Sequence, residues 1–100
     1  MSEIYLPFKA RFRKTMLEGT KIWTSRTKWF GREGDTFRAF GATFVIEDRL
    51  VTPLSQVVEH HVEEGFETKE GFISIWEHVH PYRGFDPDWL VKVHIFRRLV

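Results

Sequence analysis

The stretch LEGTKIWTSRTKWFGREGD, Leu17 to Asp35, decides how this chain is read. Its first glycine, Gly19, is placed to end a helix, and Gly34-Asp35 reads as a turn. Between them, KIWTSR is rich in β-branched and aromatic residues and predicts a strand. Alternate strand residues share a face, so Ile22, Thr24 and Arg26 point one way and Trp23 and Ser25 the other. Lys21 and Thr24 then face oppositely. They meet only if Lys21 lies in the bend after Gly19, before pairing begins.

Upstream, Phe8, Phe12 and Met16 fall at i, i+4 and i+8 with Leu17 beside them, which predicts a helix over residues 8–18. Downstream, DTFRAF and ATFVIEDRLV predict two further extended segments, with Gly41 as a turn or bulge signal. Thr52 as N-cap and Pro53 in the first turn predict a second helix, carried by Leu54, Val57, Val58 and Val62 and stopped by Gly65. Thr68 caps a third, whose buried stripe is Phe72, Ile73 and Trp76. Pro81 and Gly84 mark a loop, and WLVKVHIF forms a last strand. This order predicts an α+β fold: a small mixed sheet or barrel, closed by the last strand and flanked by helices. One hundred residues suit a single domain, 1–100, and ten Phe and four Trp supply much of its core.

The net charge of +1 conceals an asymmetry. Residues 1–50 hold ten Lys/Arg against six Asp/Glu, whereas residues 51–100 hold five against eight. From Lys9 to Arg32 there are eight basic residues and one acid, Glu18. Such a run attracts phosphate or carboxylate groups, and tryptophans interleaved with it point toward nucleic acid. With no cysteine, disulfides, thiolate catalysis and zinc–thiolate sites are excluded. No apolar run approaches the roughly 20 residues that span a bilayer, and MSEIYLPFKARF has no apolar core of signal-peptide length. The expectation is a soluble cytoplasmic protein without membrane contact. The five histidines match no standard zinc spacing, so neither metal nor cofactor is expected.

The pattern Gly19-x-Lys21-x-x-Thr24-x-Arg26, then Gly34-Asp35, then Glu63-Glu64-Gly65-Phe66, resembles the ASCH domain, a family of the PUA-like superfamily of small β-barrels. The resemblance covers nearly the whole chain and implies a cleft suited to RNA or a modified nucleoside. One small branch of the family is an amidohydrolase acting on N4-acetylcytidine. Its lysine, threonine and glutamate map onto Lys21, Thr24 and Glu64, while other members are nucleases or binding modules without chemistry. This chain departs from that branch at Trp23 and Ser25, where aliphatic residues are usual, and in the longer segment HVHPYRGFDPDW, which suits a lid or an extra wall.

Elementary chemistry fits those three residues. A threonine hydroxyl attacks only if a base takes its proton, and a lysine becomes a base when desolvation and a cation such as Arg26 lower its pKa. Glu64 can orient the lysine or protonate a departing amine. Arg26 offers a fork of donors to a phosphate, carbonyl or carboxylate. Trp23, Trp29 and Lys28 complete the expected substrate-binding set, Trp29 as a stacking platform in a basic loop. Each residue also has an ordinary role: Thr24 as a strand former, Lys21 as a surface lysine, Glu64 as an exposed acid. Two readings therefore stand, an N-acyl nucleoside amidohydrolase and a non-catalytic RNA-binding module.

Overall fold

A computed structural model describes residues 2–100. A 3-10 turn at Ala10–Phe12 leads into α1 (Arg13–Glu18). Gly19 ends it in the left-handed region, φ 84°, where the N–H groups of Thr20 and Lys21 both reach back to the Thr15 carbonyl. The helix is shorter at its start than the aromatic spacing predicts. Lys9 is extended, ψ 151°, and Phe8 belongs to the segment before the turn.

Strand β1 (Trp23–Arg26) follows, then β2 (Thr36–Ala39) and the long β3 (Ala42–Pro53). Phe40 and Gly41 join β2 to β3 with positive φ at both positions, as a tight hairpin with right-handed strand twist requires. One helical turn, α2 (Leu54–Val57), and a 3-10 turn (Val58–His60) come next, then α3 (Lys69–Val79) and β4 (Leu90–Arg98). Thr68 caps α3 as expected, its hydroxyl accepting from Gly71 N–H at 3.0 Å. The second helix is much shorter than its sequence pattern predicts. It begins directly after Pro53, which serves as N-cap in place of Thr52 and without a side-chain capping bond, and Thr52 and Pro53 also finish β3, opposite Val91 and Leu90.

The sheet order is β1-β4-β3-β2, antiparallel throughout, and it curls into half a barrel flanked by the helices. The last strand joins the sheet from its middle rather than from an edge. A bulge between Ile46 and Asp48 turns β3 as it passes β4, and Glu3 forms a parallel bridge to Thr36 at the opposite rim.

Two apolar clusters flank the sheet. One, at the β2–β3 end, gathers Leu6, Met16, Phe37, Phe44, Ile46 and Phe96. Phe37 stacks on Phe44 at 5.4 Å, and Phe96 meets both edge-on. The other, under α2 and α3, gathers Leu54, Val57, Phe66, Phe72, Trp76, Val91 and Val93. Phe12 packs against both.

Candidate functional site

Four polar side chains are buried among these hydrophobes: Lys21, Thr24, Glu64 and His94. A buried polar group is costly unless bonded, so their partners define the site.

Lys21 lies in the bend after Gly19 and before β1, the placement that lets it meet Thr24's strand. It is only 2% exposed, so it is neither a surface lysine nor an open cleft lysine. Its Nζ donates to the carbonyls of Trp23 (2.7 Å) and Glu64 (2.6 Å) and lies 3.7 Å from Glu64 Oε1. The Phe12 ring faces the ammonium at 4.4 Å. Burial pushes its pKa from the ordinary 10.5 down to about 8, against the pull of the Glu64 carboxylate and with help from Arg26. Gly65, at φ 96°, makes room for the stem: a Cβ there would stand 2.9 Å from Lys21 Cδ.

Glu64 sits in the turn that this glycine ends. The turn is tied to the start of β1, because Ile22 and Trp23 both donate their N–H to the Glu63 carbonyl. Glu64 is 3% exposed, not an exposed acid, and its Oε2 accepts from Ser25 Oγ at 2.6 Å. Thr24 Oγ1 accepts from Arg26 Nε at 2.9 Å, and Arg26 also donates to the Pro7 carbonyl. The guanidinium lies over the rings of Phe8 and Phe30, and its pKa is lowered, chiefly by burial.

His94, on β4 opposite Thr24, is fully buried. Phe30 N–H can only donate, so Nε2 accepts it (3.1 Å) while Nδ1–H donates to the Thr24 carbonyl (3.3 Å). The ring is thus neutral with its proton on Nδ1, in keeping with a pKa lowered mainly by burial.

Lys21, Thr24, Ser25, Arg26 and Glu64 all line one cavity of about 460 Å³. Phe8, Phe12 and Phe30 wall one side, and Phe66, Phe72, Trp76 and His80 come from the α3 side. The volume falls in the roughly 300–1,000 Å³ range of small-molecule sites, with an apolar wall and a few convergent polar groups. Lys28 is part of the lining. Trp23 and Trp29 are not: Trp23 stacks on His60 at 4.5 Å, and Trp29, 40% exposed, stands edge-on to His94 beneath the Arg49 guanidinium. Sequence reasoning singled out neither His94 nor Ser25 as part of the site. Their partners lie 70 and 39 residues away along the chain, so no local spacing signals them. Among the described residues, no group of three or more His, Asp or Glu side chains is placed to hold a metal ion.

The fold has solved counterparts. The chain superposes on an ASCH domain from Lactobacillus crispatus JV V101 with a TM-score of 0.66, covering 97% of this chain and 78% of that one at 15% identity. The fold is that of an ASCH domain. The chain also superposes on protein EF3133 from Enterococcus faecalis V583, of the DUF984 family (TM-score 0.65, 16% identity, 98% of this chain and 75% of that one). It superposes likewise on the hypothetical protein PH0355 (TM-score 0.68, 13% identity, 98% of both chains). At such identities the likeness carries the fold alone. No family's sequence model matches the chain, and no curated protein matches it in sequence. No helix among the described residues is long and apolar enough to cross a membrane.

Proposed function

We propose that this ASCH-like chain binds RNA or a modified nucleoside in the cavity between β1 and α3 and hydrolyses an N-acyl group such as that of N4-acetylcytidine. The observation that carries the reading is the gathering of Lys21, Thr24 and Glu64, three buried polar residues, on one aromatic-walled cavity of nucleoside-compatible size. In this reading the base packs against the aromatic wall, and Arg26 and Lys28 offer donors to the ribose or phosphate. The reaction is acyl transfer to a hydroxyl, with Thr24 nominated by the sequence pattern as nucleophile and Lys21 as base. Neutral Lys21 spends its two N–H bonds on the Trp23 and Glu64 carbonyls and keeps a lone pair for a proton. Arg26 Nε, already on Thr24 Oγ1, stabilises the oxygen as it gains negative charge.

One observation favours the non-catalytic reading. The two carbonyls that Lys21 engages belong to β1 and the Glu64 turn, so the residue also pins two elements together. A decisive test incubates the protein with N4-acetylcytidine and follows cytidine by chromatography, beside Lys21→Met, which keeps the buried stem. Hydrolysis in the wild type with a loss of about 10²–10⁴-fold in the variant supports the enzyme. Full-rate hydrolysis in the variant removes Lys21 as base. No hydrolysis of acylated nucleosides by the wild type leaves the RNA-binding module.

A further inference from the structure

The cavity presents two adjacent hydroxyls on β1, Thr24 and Ser25, and their surroundings differ. Thr24 Oγ1 receives a hydrogen bond from Arg26 Nε and is nearly sealed, at 5% exposed. Ser25 Oγ instead gives its proton toward a carboxylate oxygen, Glu64 Oε2, at 2.6 Å. That separation is the length of a charge-assisted O–H···O⁻ bond. The other carboxylate oxygen, Oε1, lies 3.7 Å from Lys21 Nζ, and Lys21 is itself fixed by two carbonyls. A hydroxyl bonded to a base, with the base held by a third group, is the arrangement that activates a nucleophile.

We propose that Ser25 is the residue that accepts the acyl group, with Glu64 as its base and Lys21 as the cation that orients Glu64. The proposal rests on reading the cavity as an acyl-transfer site and reassigns the nucleophile from Thr24 to Ser25, the base from Lys21 to Glu64, and Lys21 to an orienting cation. Ser25 Oγ forms a bond to the acyl carbon as its proton passes to Glu64 Oε2. The C–N bond then breaks, and the departing amine takes that proton from Glu64. Water next attacks the Ser25 ester while Glu64 accepts a water proton, and the Ser25 oxygen leaves and recovers it. The balance is amide plus water to acid plus amine. Thr24, with Arg26 on its oxygen, remains a wall of the site and a donor toward the ligand.

The test uses p-nitrophenyl acetate, an activated acyl donor that needs no nucleoside recognition, on the full chain. Acid quench and peptide mapping by mass spectrometry locate the acetyl group. We expect an acetyl ester on Ser25, its loss in Ser25→Ala, slowed acetylation in Glu64→Gln, and a stable thioester in Ser25→Cys. An adduct on Thr24 or Lys21, no adduct, or an unchanged rate in Ser25→Ala overturns the proposal. Acetylated Ser25 without cytidine release from N4-acetylcytidine supports Ser25 and removes the nucleoside substrate instead. Cytidine release with the acetyl group trapped on Thr24 keeps the substrate and removes Ser25.

Discussion

The two ends of this half-barrel spend their burial differently. At the β2–β3 end, Phe37, Phe44 and Phe96 meet ring to ring with Leu6, Met16 and Ile46 around them. At the β1–α3 end, Lys21, Thr24, Glu64 and His94 are buried beside Phe8, Phe12 and Phe30, each bonded to another part of the site or to backbone. The first end gains from every buried ring. The second gives up part of that gain to hold charges where water is scarce, which is how a lysine is brought near neutrality. The β2–β3 end, closed by its rings, holds the fold; the β1–α3 end, open to the cavity, holds the candidate site.

The largest effect should come from the closed end. Phe37 is fully buried and touches Phe8, Phe44 and Phe96, so Phe37→Ala should cost about 3–5 kcal/mol in denaturant unfolding. A cost below 1 kcal/mol would mean that this cluster is not the structural anchor.

Next comes the pH dependence of the open end. The unfolded chain protonates Lys21 below about pH 10.5, whereas the folded chain does so only below about 8. Between those values the unfolded state binds the extra proton, so stability should rise with pH across that window. The rise is at most roughly 3 kcal/mol, and it should vanish in Lys21→Met. Unfolding curves at pH 7 through 10.5 for both proteins isolate it by difference. If Lys21 also serves as the base, turnover should climb through the same pH near 8.

Local signals in the sequence were legible where the chain itself supplies the physics. Gly19 ends α1, Thr68 caps α3 and Gly65 closes the Glu64 turn, each by its own backbone needs. The bend after Gly19 also puts Lys21 where it can meet β1. What stayed hidden depends on pairing across the fold. Thr52 and Pro53 carry the signature of a helix start, and one turn does begin after Pro53, yet both also finish a strand, because β4 supplies partners that no local pattern reveals. The pairing of β4 with β1 places His94 opposite Thr24, and the tie from the start of β1 to the Glu63 carbonyl places Ser25 against Glu64; neither partner lies near in sequence. Trp23, bracketed by the motif residues, stacks on His60 and does not line the cavity, a contact no local pattern reveals.

A smaller effect separates two glycines of like backbone. Gly41 at φ 79° and Gly65 at φ 96° both occupy the left-handed region, where a side chain costs about 1–2 kcal/mol. A Cβ on Gly41 meets open space, whereas one on Gly65 presses on the Lys21 stem at Cβ, Cγ and Cδ. Gly41→Ala should therefore cost the backbone term alone and leave ligand binding intact. Gly65→Ala should cost more and shift the pH window of Lys21. Equal costs with an unmoved window would show that the Lys21 pocket yields freely.

The smallest effect concerns the rim. Lys9 and Lys28 line the cavity mouth, are exposed, and pair with no acid among the described residues. With Arg26 they offer three cations to an RNA backbone. Three phosphate contacts on a single strand give a log–log salt slope of about −2, so affinity should fall roughly twentyfold between 50 and 200 mM salt. Lys9→Ala with Lys28→Ala should reduce the slope to about −0.7, because each lost contact removes one such increment. Fluorescence anisotropy with a short labelled RNA at several salt concentrations measures both slopes. Neither lysine belongs to the buried cluster, so stability and acetylation by p-nitrophenyl acetate should not change. A slope that stays near −2 in the double variant places the phosphate contacts elsewhere. A flat slope in the wild type removes the phosphate contacts from the reading and leaves only the neutral, base-binding part of the cavity.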